Sequence, residues 1–162
     1  MSVTIVHGDI LDADENLIVH QVNCKGVMGG GLAKQIREKW PKVYEEYKWW
    51  CEFVTANKDT VTYKNGLLGR TQYCQVKPDK WIINLFGQED YGREKGKVYT
   101  DYDAVKECLL SIAGTAKRLG FTIAIPHGMG CGLGGGDWQG VVLPMILDIF
   151  ENSDVEVKIY RM

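Results

Sequence analysis

Leu17-Ile18-Val19-His20-Gln21-Val22 is an apolar run that leads through Asn23-Cys24-Lys25 into Gly26-Val27-Met28-Gly29-Gly30-Gly31-Leu32. The first run reads as a strand buried on both faces. Beyond the glycines, Leu32, Ile36 and Trp40 recur at four-residue spacing and predict a helix that Pro41 breaks. The pattern returns near the end of the chain. There Phe121 to Ile125 is a short apolar strand, Gly128-Met129-Gly130-Cys131-Gly132-Leu133-Gly134-Gly135-Gly136 is a second glycine loop, and Asp137 to Phe150 reads as the last helix. A strand–glycine loop–helix unit brings backbone N–H groups and a helix N-terminus to one point, which suits a phosphate. Glycine serves where the chain must turn with positive φ or touch a ligand with its backbone. Two such loops in one domain imply a pyrophosphate held from both sides.

Working outward, Val3 to His7 reads as an opening strand, and Pro41 can start a helix with Val43, Tyr44, Tyr47, Trp50, Cys51 and Val54 on one face. Gly66 to Val76 and Trp81 to Phe86 are strand candidates joined by the turn Lys77-Pro78-Asp79-Lys80. Gln88 to Tyr99 is a polar loop of a length that is often functional. Thr100 or Asp101 can cap a helix from Tyr102 to Leu119, ended by Gly120, and Val155 to Tyr160 is the final strand. This alternation predicts a three-layer α/β fold with a mixed sheet. Its ligand crevice should lie at the carboxyl ends of the strands. No repeat or linker interrupts residues 1–162, which read as a single domain.

The 162 residues are enough for a substantial core. A hydrophobic share of 45% and a charged share of 25% are those of a soluble globular chain. The formal net charge of −2 argues against general nucleic-acid binding, which needs a basic face, yet leaves a nucleotide ligand open. No apolar run nears the roughly 20 residues that cross a bilayer, and the N-terminus lacks a secretory pattern, so no membrane partner and a cytoplasmic location are expected. Cys24, Cys51, Cys74, Cys108 and Cys131 form no CxxC pair and read as reduced thiols without a zinc site. No carboxylate cluster calls for a metal, and no cofactor is implied.

His20 to Ala33 resembles the first phosphate loop of macrodomains, and Ile125 to Trp138 their second. Val6-His7-Gly8-Asp9-Ile10 is similar to their opening strand with its adenine-contacting acid, and the likeness runs on to Ile159-Tyr160-Arg161-Met162. The resemblance implies a three-layer α/β/α macrodomain that binds ADP-ribose and its derivatives, ADP-ribosylated macromolecules included. Within the family the chain is most similar to the compact branch of ADP-ribose-1''-phosphate phosphatases and de-ADP-ribosylating enzymes. The phosphatases carry a similar His-x-x-Asn-Cys-x-Gly-x-x-Gly-Gly-Gly stretch. Glycohydrolases of that branch use a lysine after the central strand and an aspartate in the second loop. Here the matching positions read Asn84-Leu85-Phe86-Gly87-Gln88, without lysine, and Gly134.

Each candidate residue has a functional and a structural reading. Asp9 can accept from the adenine amine while the Ile10 N–H meets a ring nitrogen, or Asp9 can cap a turn. Asn23 offers a donor and an acceptor to the distal ribose, or holds a turn. His20 titrates in the range of an acid/base catalyst, or is a satisfied core histidine. Asp137 is an acid/base partner or the cap of the last helix. Gln88 orients a water or a ribose hydroxyl, or is solvated. Met28, Gly29, Gly30, Gly31 and Leu32 with Gly128, Met129, Gly130, Cys131, Gly132, Leu133 and Gly134 form the phosphate-binding loops, and Tyr160 and Met162 lie where adenine would pack. On this reading the chain is a phosphatase converting ADP-ribose-1''-phosphate to ADP-ribose and phosphate, with His20, Asn23 and Asp137 at the reacting end. The alternatives are an ADP-ribose reader without turnover, or a hydrolase freeing ADP-ribose from modified protein or nucleic acid.

Overall fold

The strand β2 (Leu17–Asn23) supplies both cores of the molecule, because successive side chains leave a strand on opposite faces. Leu17 and Val19 join Ile83, Leu85, Ile123 and Ile125 on one side, while Ile18 and Val22 join Ile82, Phe86 and Ala124 on the other. The structure, a computed structural model, describes residues 2–60 and 66–162. Its other strands are β1 (Val3–His7), β3 (Thr71–Lys77), β4 (Lys80–Gln88), β5 (Ile123–Pro126) and β6 (Val157–Arg161). They form one six-stranded sheet in the order β1-β6-β5-β2-β4-β3. All neighbours are parallel except β3, which returns antiparallel along β4.

Helices α1 (Gly31–Lys39) and α2 (Pro41–Ala56) cover the face of Ile18, closing it with Ile36, Val43, Tyr47, Cys51 and Val54. The opposite face is closed by α3 (Tyr102–Leu119) and α4 (Leu143–Phe150), through Val105, Leu109, Ile112, Ile146 and Phe150. This is the expected three-layer α/β/α fold. Asp101 caps α3 by accepting from the Ala104 N–H, and Gly120 ends it at φ +70°.

The last strand starts two residues later than expected and β4 runs two residues further, and three other differences from the expected boundaries have a local cause. The strand expected from Gly66 begins at Thr71, because Gly66 and Gly69 turn at φ +71° and +85°. β5 starts at Ile123, since the Thr122 N–H is taken by the Asn16 side chain. The last helix is two pieces. A wide turn at Trp138–Val142 carries an i→i+5 bond, Leu143 N–H to the Trp138 carbonyl, before the α-helix starts. Pro144, just beyond, has no N–H to return and would crowd a regular turn ahead of it.

Candidate functional site

β2 and β5 pair only through Leu17–Ile123 and Ile18–Ala124, although β2 runs on to Asn23 and β5 to Pro126. Beyond those pairs the two strands part, and the opening between their carboxyl ends is where an α/β sheet holds its ligands. Both glycine loops start there. Together they enclose a cleft of about 430 Å3 lined by His20, Gln21, Asn23, Gly29, Gly30, Gly31, Leu32, Gln88, Gly128, Met129, Gly130, Gly132, Leu133 and Gly134. Its walls combine glycine backbone and the amides of Gln21, Asn23 and Gln88 with apolar side chains such as Val27, Leu32 and Leu133. Among the described lining residues there is no carboxylate and no lysine.

Asn23 shapes the first loop. Its Oδ1 accepts from the Lys25 N–H at 2.9 Å and from the Tyr47 hydroxyl at 2.8 Å, while Nδ2 donates to the Val27 carbonyl at 2.8 Å. The turn then delivers Gly30 and Gly31 to the start of α1, with Gly31 at φ +57°. A Cβ on Gly30 would stand 2.9 Å from Leu133 of the second loop and 3.4 Å from an Arg93 Nη. Three segments therefore meet across the mouth.

The second loop is folded tightly on itself. A Cβ on Gly134 would lie 2.6 Å from both the Gly130 carbonyl and the Thr100 hydroxyl. An aspartate has no room there, which is a physical reason for glycine at this position. Thr100 donates to the Gly130 carbonyl and accepts from Gln21 Nε2, which also donates to Gln88 Oε1 at 2.8 Å. Gln21 and Thr100 thus tie β2, β4 and the second loop together. Sequence reasoning passed over both; the one available signal was a polar residue at position 21 of an apolar strand. It also passed over Tyr91 and Arg93, which reach the cleft from the segment after β4.

His20 is buried, with Nε2 2.6 Å from Asn84 Oδ1. The direction of this bond follows from a backbone carbonyl three steps away. Gln72 donates to the Glu46 carbonyl, so it accepts from Asn84 Nδ2, so Asn84 accepts from His20. Nε2 carries the proton, and Nδ1 is buried without a partner. Burial lowers the His20 pKa to about 4, with the Asn84 bond pulling the other way. The ring is neutral at pH 7 and fixed in one tautomer.

Other candidates take structural places. Asp137 caps the turn before α4 by accepting from the Gly140 N–H at 2.9 Å. Asp9 accepts from the Leu11 N–H at 3.0 Å and caps a short 3-10 turn, in which Ile10 is buried. Met28 packs in the core beside Ile36 and Tyr47. Tyr160 donates to Glu15, and Met162 is exposed. Asp9, Ile10, Asp137, Met28, Cys131, Tyr160 and Met162 do not line the cleft. Asp9 does share its sheet edge, at the end of β1. Burial, with Asp137 adding, pushes the Cys131 thiol up to about 11, and burial pushes the Cys24 thiol up as well. Neither is an activated nucleophile. Among the described residues no group of His, Cys, Asp and Glu could hold a metal ion, and no helix is long and apolar enough to cross a membrane.

Comparison with known proteins matches residues 19–143 to the Macro domain model. A DNA ADP-ribosyl glycohydrolase of Mycobacterium tuberculosis is 28% identical over 98% of this chain, which spans 42% of that protein's length. An ADP-ribose 1''-phosphate phosphatase of Aspergillus oryzae is 28% identical over 57% of this chain and 59% of its own. Among solved structures, the macrodomain of M. tuberculosis DarG superposes with a TM-score of 0.77 at 26% identity, covering 99% of this chain and 97% of that one.

Proposed function

The chain belongs to the Macro domain family, and from that premise we propose that its cleft binds ADP-ribose and hydrolyses the bond between ADP-ribose and a modified nucleic-acid base. One observation supports the binding above all: two glycine loops from neighbouring parallel strands converge on one cleft, with the α1 N-terminus at its edge. Backbone N–H groups on both sides suit a diphosphate. Asp9 at the end of β1 then marks the adenine side, and Asn23 and Gln88 mark the distal ribose.

The glycosidic reading draws on the M. tuberculosis glycohydrolase, whose similarity extends over 98% of this chain. In that reaction water adds to the anomeric carbon, the bond to the base breaks, and the proton of the water passes to the departing base. The amides and backbone N–H groups of the cleft serve it by positioning the sugar and water and by stabilising developing charge. No side chain needs to become covalently attached.

The second reading is the phosphatase, favoured by the local similarity to the Aspergillus enzyme. It assigns acid/base work to His20, and that role sits poorly with a buried, neutral ring already bonded to Asn84. The two are separated by assaying one preparation on two substrates. Release of ADP-ribose from an ADP-ribosylated oligonucleotide, without phosphate release from ADP-ribose-1''-phosphate, is expected. The reverse result establishes the phosphatase. Binding without either turnover leaves a reader.

A further inference from the structure

Tyr91 and Arg93 flank Gly92 on the segment after β4, and all three line the cleft mouth. Tyr91 is 51% exposed, an aromatic ring at the rim of the cleft. The segment is held in place. A Cβ on Gly92 would collide with the Tyr99 hydroxyl, so Tyr99 packs on bare backbone, and the Tyr99 N–H donates to the Gly134 carbonyl. The nearby carboxylates are occupied. Glu89 pairs with Lys25 at 3.5 Å, Glu94 with Lys97 at 4.0 Å, and Asp90 accepts from the Tyr91 N–H. Arg93 makes no ion pair or hydrogen bond among the described residues, and its guanidinium stands over Gly30.

The carboxyl ends of β1, β6, β5, β2 and β4 lie in a row. Asp9 ends that row on one side and the Tyr91–Arg93 segment on the other, ~19 Å away at ordinary strand spacing. A ligand whose adenine lies by Asp9 directs its conjugated group toward Tyr91 and Arg93.

We propose that Tyr91 and Arg93 read the nucleotide that carries the modification, the Tyr91 ring stacking on its base and the Arg93 guanidinium pairing with its phosphate. This rests on the ADP-ribose reading of the cleft. One exposed ring and one free cation are the minimal means of holding one nucleotide of a strand. They fit a chain whose net charge of −2 gives it no general attraction to nucleic acid.

The test compares three ligands on the whole chain: ADP-ribose, a short oligonucleotide with one ADP-ribosylated base, and an ADP-ribosylated peptide. Affinity is read as Kd, or as KM where a conjugate turns over. Tyr91→Ala and Arg93→Ala should each weaken the oligonucleotide conjugate about tenfold more than they weaken ADP-ribose. Arg93→Ala should also lower the salt dependence of conjugate binding by about one charge. Lys95→Ala, on the same segment but outside the cleft, should change neither. Equal losses for ADP-ribose and the conjugate would overturn the proposal, as would an equal loss for the peptide. A wild-type chain without affinity for ADP-ribose would overturn the reading of the cleft itself, and the rim would fall with it.

Discussion

The side-chain oxygen of Gln21 occupies the space that a Cβ on Gly130 would need, 2.6 Å from where that atom would stand. It stands equally close to the position of a Gly87 Cβ. The amide that ties β2 to the second loop thus fits only because both flanking residues are glycine.

Gly87→Ala should therefore cost about 1–3 kcal/mol of stability, the usual range for overpacking. Much of that cost should vanish in a Gln21→Ala background, leaving the 2.9 Å approach to Val105. Urea denaturation of the two single variants and the double variant measures the coupling. Additive losses would mean that Gln21 yields freely and does not brace the loop.

Gly30→Ala and Gly31→Ala should separate space from backbone conformation. A Cβ on Gly31 meets nothing within 4 Å, but its φ of +57° makes alanine cost about 1–2 kcal/mol. Gly30 has extended backbone, so Gly30→Ala should keep most of the stability while pushing against Leu133 and Arg93. Calorimetry with ADP-ribose should show at least a tenfold weaker Kd for Gly30→Ala. An unchanged Kd would place the ligand away from the first loop.

His20 gives a stability that depends on pH, with a definite sign. Its pKa falls from 6.5 to about 4 on folding, because burial disfavours the charged ring. Between those values the unfolded chain takes up a proton that the folded chain refuses. Stability from this source is whole above pH 6.5 and falls as pH drops toward 4, by about 3 kcal/mol. His20→Gln should flatten the fall over that window in denaturation curves taken at several pH values. Parallel curves for both proteins would show the ring charged in the fold.

Asp137 is tested by pairing two substitutions. Asparagine caps a helix as well as aspartate, whereas alanine loses about 1 kcal/mol. Asp137→Asn should hold the thermal midpoint while Asp137→Ala lowers it. A large loss of turnover in Asp137→Asn at unchanged stability would instead assign the carboxylate to the chemistry.

Much of this was legible in the chain because it was local. Asp101 and Gly120 bound α3 as caps do, and the glycine loops announce themselves by composition. The roles of His20 and Gln21 were not legible, since each depends on register. His20 lies directly opposite Asn84 across the β2–β4 pair, and Gln21 meets Gln88 and Thr100 only after the sheet is assembled. The alternation of β2 tells which face each side chain takes, but not what waits there. Asp9 and Asn23 illustrate a different difficulty. One polar side chain can cap or brace a turn and still stand at the edge of a ligand site.

The seating of β5 between β2 and β6 has a consequence for how the molecule comes into being. The first loop is synthesised early and the second late, and the cleft between them exists only once β5 has paired with β2. A chain emerging from the ribosome has half a cradle until its last third arrives. Such long-range pairing slows folding. Any ligand of the cleft then recognises only the finished fold, and at a concentration of 100 times its Kd it would hold that fold together by about 2.7 kcal/mol.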